Sequence, residues 1–302
     1  MSLDTNFFKK KYSKNININE NLAKYSWFNL GGPADLLFKP SSKKQLINFV
    51  KDLHQQNLDL KILGAGSNTL IRDAGVRGVV IKLGSKFTDI KLLEKDIIEV
   101  GAGTLDRKIS NFAKDNNISG MEFLSCIPGS IGGSITMNSG CYGYDISKIL
   151  ISVNVIDNKG NEREIKKEDI NFYYRGSSIP NNYIILSSKL KGNISEKKKI
   201  EKIQEMLIER KKESQPKQIK TGGSTFKNSQ NKKAWELIKE SGCSNLSVGD
   251  AKISEKHCNF FLNAGNAKTL DIENLINKVK QEVKNKTGIN LELEIKIIGN
   301  EK

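Results

Sequence analysis

Two glycine-rich segments constrain the fold of this chain more than any other feature of its sequence. The first, Gly64-Ala65-Gly66-Ser67-Asn68, follows a short apolar stretch. The second, Ile127-Pro128-Gly129-Ser130-Ile131-Gly132-Gly133-Ser134, lies within residues 125–143, which we expect to form no regular element. Glycine lets a backbone approach a ligand closely and leaves N–H groups that can bind anionic oxygens. Thr69 stands where the Gly-x-Gly-x-x-Gly pattern of Rossmann folds needs its third glycine. We therefore predict that both loops serve one dinucleotide site of another kind, the alternative being two tight structural turns.

The rest of the chain mixes helical and strand patterns. Leu46, Phe49, Val50 and Leu53 recur at helical spacing in the predicted helix 41–56. Further helices are predicted at 196–214, 232–240 and 270–286, and strands at 60–63, 79–83, 97–100, 183–190, 259–262 and 291–298. Residues 151–157 and 162–165 are predicted to form a hairpin around Asn158-Lys159-Gly160. This mixture predicts an α+β protein with a domain boundary near residues 192–215 and a polar N-terminal arm at 1–27.

The net charge raises the question of a polyanionic partner. Lys and Arg number 49 against 34 Asp and Glu, which gives a formal net charge of +15. Only six of the cations are arginine, whose planar guanidinium best matches phosphates and guanine edges. Because the lysines are spread along the whole chain, we interpret them mainly as solvated faces. A basic nucleic-acid-binding protein is the weaker alternative.

The cysteines and the N-terminus bear on the compartment. Cys126, Cys141, Cys243 and Cys258 form no Cys-x-x-Cys pair, so we expect reduced thiols and no metal site. The N-terminus lacks the apolar core of a secretory signal, and no apolar run is long enough to span a bilayer. These features predict a cytoplasmic protein without membrane insertion.

Eight segments between residues 25 and 299 form an ordered set of motifs. They are Asn29-Leu30-Gly31-Gly32-Pro33-Ala34, Leu63-Gly64-Ala65-Gly66-Ser67-Asn68, Ile127-Pro128-Gly129-Ser130-Ile131-Gly132-Gly133, Met137-Asn138-Ser139-Gly140-Cys141-Tyr142-Gly143, Tyr174-Arg175-Gly176-Ser177-Ser178, Gly222-Gly223-Ser224-Thr225-Phe226-Lys227-Asn228, Ser254-Glu255-Lys256-His257-Cys258-Asn259-Phe260 and Leu293-Glu294-Ile295-Lys296-Ile297-Ile298-Gly299. Each segment alone is a weak signal. Together, and in this order, they resemble the UDP-N-acetylenolpyruvoylglucosamine reductases of bacterial peptidoglycan synthesis. The short stretch after Tyr183 is similar to the shorter, second type of that family.

The resemblance implies a fold and an activity. The fold is α+β, with a two-lobed FAD-binding domain of the vanillyl-alcohol-oxidase (PCMH) type at 28–195, its lobes at about 28–84 and 85–195. A smaller C-terminal α+β substrate-binding domain follows at 196–302. The implied activity is reduction of UDP-N-acetylglucosamine enolpyruvate to UDP-N-acetylmuramate, with tightly bound FAD and with NADPH as the electron donor. These small molecules are the expected partners, and a monomer is the expected state.

The resemblance also assigns roles to residues. Ser224 matches the proton donor, and Arg175 and Glu294 match the groups that bind and polarise the substrate carboxylate. Without the resemblance, Ser224 would be a serine in a glycine turn, Arg175 a surface salt-bridge residue and Glu294 a solvent-facing strand carboxylate. By strand alternation Glu294 shares the polar face with Glu292 and Lys296, opposite Leu291, Leu293, Ile295 and Ile297.

Binding roles are implied for a larger set. The predicted FAD contacts are Gly64, Ala65, Gly66, Ser67, Asn68, Pro128, Gly129, Ser130, Gly132, Gly133 and Asn138. The predicted substrate contacts are Tyr174, Lys227, Asn228 and Asn259. His257 lies in a matching segment, but a packed, hydrogen-bonded histidine is an equal interpretation. The alternative within enzymes is another FAD-dependent oxidoreductase of the same fold, such as an aldonolactone oxidase.

Overall fold

The computed structural model describes residues 3–217 and 219–301, and the chain divides into two units. The first unit comprises Met1–Ile18, Leu36–Ala65 and Gly78–Lys211, and the second comprises Asn19–Asp35, Gly66–Arg77 and Lys212–Lys302. Residues 1 and 2 of the predicted arm, and residues 218 and 302 of the predicted C-terminal domain, lie outside the described residues. The predicted domain boundaries stay a prediction. In the structure, the segments Asn19–Asp35 and Gly66–Arg77 group with the C-terminal part of the chain.

Helices and strands alternate along the described residues. The α-helices are α1 Thr5–Tyr12, α2 Lys43–Gln55, α3 Asp106–Asp115, α4 Ile131–Thr136, α5 Lys197–Ser214, α6 Ala234–Glu240 and α7 Thr269–Thr287. The strands are β1 Ile16–Asn21, β2 Pro33–Phe38, β3 Leu60–Ile62, β4 Thr69–Ile71, β5 Val76–Ile81, β6 Ile90–Leu92, β7 Ile97–Gly101, β8 Ile118–Ser119, β9 Gly140–Cys141, β10 Tyr144–Asp145, β11 Leu150–Ile156, β12 Glu162–Lys166, β13 Phe172–Tyr173, β14 Gly176–Ser177, β15 Ile184–Lys191, β16 Asn193–Ile194, β17 Lys220–Ser224, β18 Ser247–Val248, β19 Ala251–Ile253, β20 Phe260–Asn263 and β21 Lys296–Ile298. This mixture confirms the predicted α+β class. Among the described helices none combines the length and the apolar character needed to cross a membrane.

A five-stranded sheet organises the larger part of the first unit. Its order is β12-β11-β15-β7-β6, and every neighbouring pair is antiparallel. β11 and β12 form the predicted hairpin, with Val153 opposite Ile165. One apolar core, which includes Ile98, Val153 and Leu190, packs against this sheet.

A second sheet has the order β1-β2-β5-β3, with β3 and β5 parallel. Helix α2 forms as predicted, because Ser42 caps it by accepting from the N–H of Gln45 (3.2 Å), and its apolar face is buried. Phe38 stacks on Phe49 of α2 with ring centroids 3.7 Å apart. The parallel pairing of β3 with β5 places the end of β3, and hence the first glycine loop, beside the end of β5.

The segment predicted as a polar arm contains regular structure. Asp4 caps α1, and Phe8 and Tyr12, one helical turn apart, are buried. Phe8 lies 5.2 Å from Phe49 between ring centroids, and the Tyr12 hydroxyl donates to Asp52 at 2.5 Å. Phe8 and Tyr12 therefore pack α1 into the apolar core that contains Phe49. The many lysines of α1 obscure its apolar periodicity in the sequence.

Helix α4 corrects the expectation that residues 125–143 contain no regular element. Gly132 and Gly133 lower the helix propensity of α4. The N–H of Ile131 donates to the carbonyl of Thr104 (2.9 Å), and the N–H of Gly132 donates to that of Ala102 (3.0 Å). Because these first N–H groups bind a neighbouring segment, tertiary contacts form a helix that local propensity disfavours.

The second unit contains the antiparallel sheet β17-β20-β19-β18 and the parallel pair β4-β21. Helix α7 buries Leu275, Ile276, Val279 and Val283 as its spacing predicts, and ends at Gly288, whose φ is +73°. The predicted strand 291–298 is shorter than expected, since only Lys296–Ile298 pairs as a strand, with β4. The predicted alternation holds where Leu291 and Ile295 are buried and Glu292 is exposed. It does not hold at the next pair, because Leu293 and Glu294 are both half-buried.

Candidate functional site

In the first unit the structure brings the two glycine loops together at Gly64 and Ser130. A Cβ atom added to Gly64 would lie 2.9 Å from the Ser130 hydroxyl, so only glycine fits at position 64 without displacing that side chain. Pro128 and Gly133 are exposed on the second loop, and Ala65 is half-buried on the first. The close approach of the two loops is the arrangement that a shared dinucleotide site requires.

Lys82 adds a cation to this pair of loops. Its Nζ donates to the carbonyl of Gly64 at 2.6 Å. Burial lowers the pKa of Lys82, and the nearby positive charge of Lys39 lowers it further. The sequence analysis missed Lys82, although its position directly after β5 was a usable signal once β5 was known to end beside the first loop. A half-buried ammonium group here suits an anionic diphosphate.

Asp106 lies beneath the second loop and is buried. Its Oδ2 accepts from the Ser134 hydroxyl at 2.6 Å, its backbone N–H donates to the carbonyl of Gly129 at 3.1 Å, and its carboxyl group also accepts from the Gly129 backbone. A Cβ atom at Gly129 would lie 2.7 Å from Asp106 Oδ2, and one at Gly132 would lie 3.1 Å from Ala102. Burial raises the pKa of Asp106 to about 7, against the opposing effect of the bonds from Ser134 and Gly129. The conformation of the loop thus depends on Asp106, which the sequence analysis did not single out.

Tyr174 and Arg175 occupy a two-residue turn between β13 and β14, where Tyr173 pairs with Gly176. The φ angle of Arg175 is +59°, in the left-handed region that favours glycine. Its guanidinium lies 4.9 Å from the ring centroid of Tyr174, and Tyr174 is exposed. Backbone strain of this kind clusters at functional sites, so Arg175 is a candidate functional residue.

Asn138, a predicted flavin contact, binds two other segments of the protein in this structure. Its Nδ2 donates to the carbonyl of Tyr173 at 3.3 Å, and its Oδ1 accepts from the N–H of Ser147 at 3.1 Å. These bonds hold the hairpin that presents Arg175. A cavity of about 300 Å³ opens beside it, lined by Asn138, Asp145, Ser147, Phe172, Tyr173, Tyr174 and Arg175.

Gly66, Ser67 and Asn68, the remainder of the first loop, belong to the second unit. Gly66 has a φ of +72°, and a Cβ there would lie 1.9 Å from the carbonyl oxygen of Tyr25, so glycine is required. Ser67 and Asn68 are half-buried. Asn68 Nδ2 donates to the carbonyl of Glu294 at 3.1 Å, and the carbonyl of Asn68 accepts from the N–H of Lys296 at 2.9 Å.

Three segments of the second unit therefore converge around Glu294 and Ser224. The N–H of Glu294 donates to the carbonyl of Thr225 at 2.9 Å, and Ser224 pairs with Phe260 at the end of β17. Gly223 has a φ of +78° with open space at its Cβ position, whereas a Cβ at Gly222 would lie 2.5 Å from the Phe28 ring. Ser224 and Glu294 are both half-buried. Ser224, the predicted proton donor, and Glu294, the predicted carboxylate, therefore belong to two chain segments that are hydrogen-bonded to each other through Thr225.

The predicted substrate contacts in the second unit differ in what their side chains do. Lys227 Nζ lies 3.4 Å from a Glu292 carboxylate oxygen at a half-exposed position. Asn228 is exposed and its Oδ1 accepts from the N–H of Ala234 at the start of α6. Asn259 is only 3% exposed, and both of its amide atoms bind the backbone of Phe226. Lys227 and Asn228 can still reach a ligand, but the Asn259 amide is already bonded.

His257 matches the packing interpretation. Its Nδ1 accepts from the N–H of Asn259 at 3.3 Å, and its ring lies 4.8 Å from that of Phe260. Burial lowers the pKa of His257, which favours the neutral ring. This histidine therefore supports the chain around Asn259.

Comparison with known proteins gives consistent matches along the chain. Residues 34–166 match the family described as FAD binding domain, and residues 215–298 match the C-terminal domain of UDP-N-acetylenolpyruvoylglucosamine reductase. The chain is 45% identical over 294 residues to the UDP-N-acetylenolpyruvoylglucosamine reductase of Pelagibacter ubique (strain HTCC1062), covering 96% of this chain and 97% of that protein. The reductase of Wolbachia sp. subsp. Drosophila simulans (strain wRi) is 43% identical over 279 residues, covering 92% and 94%.

A solved structure supports the same relationship. The crystal structure of UDP-N-acetylenolpyruvylglucosamine reductase (MurB) from Thermus caldophilus superposes with a TM-score of 0.81 at 31% identity, covering 94% of this chain and 98% of that one. The matches confirm the predicted combination of an FAD-binding domain with a second α+β domain, and they favour neither alternative function. The chain belongs to the UDP-N-acetylenolpyruvoylglucosamine reductases, a family of flavin-dependent oxidoreductases.

Proposed function

We propose that this chain reduces the enolpyruvyl ether of UDP-N-acetylglucosamine enolpyruvate to a lactyl ether, giving UDP-N-acetylmuramate for peptidoglycan precursor synthesis in the bacterial cytoplasm. Family membership supports the reaction class. The observation that carries the residue roles is the hydrogen bond from the Glu294 N–H to the carbonyl of Thr225, which keeps Glu294 beside the chain that presents Ser224.

The residues at the glycine loops fit the diphosphate of FAD. Gly64, Ser130 and Gly133 provide a close, small-residue wall, and Lys82 provides positive charge at that wall. Ala65, Gly66, Ser67, Asn68, Pro128, Gly129 and Gly132 complete the proposed contacts. FAD, when bound, supplies hydride transfer from NADPH to the substrate.

Arg175 and Ser224 would act on the charge and the proton of the substrate. Negative charge develops on the carbon next to the substrate carboxylate when the vinyl terminus is reduced. The Arg175 guanidinium, fixed in its turn, stabilises that charge, and the Ser224 hydroxyl delivers the proton to that carbon. Glu294 would either carry a proton or orient the proton donor. A carboxylate that did neither would oppose the negative charge that develops on the substrate.

Each unit carries side chains that we propose as contacts of the UDP-sugar. Lys227 has a flexible ammonium group on a half-exposed site, suited to a diphosphate, and Tyr174 offers an exposed ring. Asn228 would use its amide nitrogen, since its oxygen already binds Ala234. For Asn138 and Asn259 we propose positioning roles rather than direct contacts.

Anaerobic spectroscopy of the purified protein tests the proposal. The preparation should show flavin absorbance that NADPH bleaches and that the enolpyruvyl substrate then restores. Comparison with NADH under the same conditions tests the donor. Bleaching without substrate-dependent recovery would overturn the proposed reductase activity, and a colourless protein that binds polynucleotides would favour the nucleic-acid alternative.

A further inference from the structure

Leu105 is an exposed apolar residue that directly precedes α3 in the first unit. Helical spacing would place it on the same face as Ile109, one turn later, which is fully buried. The backbone at Leu105 is instead extended, with φ −69° and ψ 136°, because α3 begins only at Asp106. Leu105 is 46% exposed, and among the described residues the apolar core that contains Ile109 does not include it.

Leu105 lies directly opposite Ser130 of the second glycine loop, since the two residues form an antiparallel β-bridge. The N–H of Asp106 donates to the carbonyl of Gly129 at 3.1 Å. On the other side of the bridge, the N–H of Ile131 donates at 2.9 Å to the carbonyl of the residue before Leu105. Leu105 and Ser130 are therefore a non-hydrogen-bonded pair, the kind in which facing side chains approach most closely.

The side chains of this pair share one face of the bridge. Residues directly opposite each other in an antiparallel pair project to the same side, and their neighbours along the chain project to the other. Burial follows this rule, because Thr104 and Asp106, on either side of Leu105, are fully buried. The Ser130 hydroxyl points towards the first glycine loop, where it would lie 2.9 Å from a Cβ atom at Gly64. Leu105 therefore projects from the face of the bridge that is turned towards that loop.

The wall formed by the two loops thus combines positive charge with an apolar side chain. Lys82 Nζ donates to the carbonyl of Gly64 at 2.6 Å, so its charge adjoins the loops. Exposure alone would not single out Leu105, because single exposed apolar side chains are common on protein surfaces. Its position opposite Ser130 does, and leucine is a poor N-cap residue, so α3 does not explain its presence there. A ligand with an anionic diphosphate beside a flat ring system fits this combination.

We propose that Leu105 is a further FAD-binding residue, whose side chain covers a ring system of the bound dinucleotide next to its diphosphate. This inference rests on the proposed FAD site at the two glycine loops. Bound FAD would remove the exposed part of Leu105 from water, which stabilises the complex. FAD carries the isoalloxazine on one side of its diphosphate and the adenine on the other, and both present a flat face that a leucine side chain can cover.

Release of FAD from the loaded, full-length protein tests this contact. Timed ultrafiltration after dilution separates free FAD from the protein, and the flavin absorbance of the filtrate measures it. Leu105→Ser should release FAD about threefold to tenfold faster than the wild type, because the contact of about half a leucine side chain is lost. Serine is a preferred N-cap residue, so this variant should not weaken α3. Leu105→Met keeps an apolar side chain of similar size and should release FAD at close to the wild-type rate.

Leu93→Ser is the matched control. Leu93 is also 46% exposed, and its N–H donates to the carbonyl of Ile97 at the start of β7, whereas Leu105 follows the end of that strand. Leu93→Ser should therefore release FAD at the wild-type rate. Equal release from wild type and Leu105→Ser, or equal acceleration in both serine variants, would overturn the contact and leave the FAD site in place. A wild-type protein that retains no FAD would overturn the FAD site itself, and this inference with it.

The flavin absorption band of each loaded variant identifies the ring system that Leu105 covers. Faster release with a band shifted in Leu105→Ser, but not in Leu93→Ser, would assign the contact to the isoalloxazine. Faster release with an unchanged band would assign it to the adenine. Circular dichroism of each variant shows whether it is folded, and FAD release is read independently of enzyme activity.

Discussion

Asn259 and Phe226 are joined by two hydrogen bonds in which a side chain acts like a neighbouring strand. The Asn259 Oδ1 accepts from the N–H of Phe226 at 2.9 Å, and its Nδ2 donates to the carbonyl of Phe226 at 2.8 Å. Asn259 is 3% exposed and Phe226 is fully buried. The turn that carries Ser224, Lys227 and Asn228 is therefore held in place from a position 33 residues further along the chain.

Asn259→Ala should act mainly on stability, by lowering the free energy of unfolding, and should have a smaller effect on ligand binding. It leaves a buried N–H and a buried carbonyl of Phe226 without partners, at a cost of about 1–3 kcal/mol for each. Denaturant unfolding measures the loss, and Asn266→Ala at an exposed site is the control. A variant with wild-type stability and only a raised KM for the UDP-sugar would instead support the direct contact that the sequence predicted.

Ser224→Ala should separate the two half-reactions. NADPH should still bleach the flavin at close to the wild-type rate, while substrate-dependent recovery slows by about 10²–10⁴-fold because the proposed proton donor is lost. Stopped-flow absorbance measures both steps. Ser229→Ala in the same turn is the control, since the Ser229 hydroxyl already donates to the carbonyl of Lys232. Equal slowing of both half-reactions in Ser224→Ala would show that the serine is not the donor.

The patterned elements of this chain were predictable, whereas elements set by distant contacts were not. Helices α2 and α7 have continuous apolar faces, and their predicted ends lie within about two residues of the observed ones. Helix α4 depends on hydrogen bonds to Thr104 and Ala102, which no local pattern records. Strand β21 is short because only three of its residues find a partner in β4.

The candidate site shows the same division. The motifs predict Arg175, Ser224 and Glu294 as site residues, and in the structure Glu294 is hydrogen-bonded to Thr225, the residue after Ser224. The partners of Asn138 and Asn259 could not be predicted, because each binds backbone more than 30 residues away. Residues that act through burial, such as Asp106, carry no sequence signal until their surroundings are known.

Phe8→Ala should show that the N-terminal helix is part of the folded core. Phe8 is fully buried against Phe49, so truncation should lower the free energy of unfolding by about 3–5 kcal/mol. Phe7→Ala, one position away and 38% exposed, should cost much less. Urea unfolding of both variants measures the difference. Equal and small effects would mean that residues 5–12 form a dispensable arm.

Asp106 should give the protein a stability that falls as the pH rises towards neutrality. An aspartate in the unfolded chain loses its proton near pH 4, whereas folded Asp106 keeps its proton up to about pH 7. Its contribution is therefore complete below about pH 4 and is lost as the pH rises through about 7. Asp106→Asn cannot titrate, so its free energy of unfolding should decline less than that of the wild type between about pH 5 and pH 8. Asp169→Asn, at an exposed site, is the control. Parallel profiles for wild type and Asp106→Asn would contradict a raised pKa.

Arg175→Gly should leave stability nearly unchanged while removing most of the activity. The positive φ of Arg175 costs about 1–3 kcal/mol, which glycine avoids. That gain is offset by about 0.5–1 kcal/mol of added chain entropy in the unfolded state and by the loss of the contact with the Tyr174 ring, so the net change should stay within about 1 kcal/mol. Substrate-dependent flavin recovery should fall by about 10²–10³-fold, because no fixed charge remains to stabilise the developing anion. Asn57→Gly is the matched control, since Asn57 has a φ of +51° at the end of α2 and should tolerate glycine with full activity. Arg175 would instead be a structural residue if Arg175→Gly lost well above 1 kcal/mol of stability and its activity fell only in proportion to the folded fraction. The strained backbone of Arg175 would then no longer support a functional role.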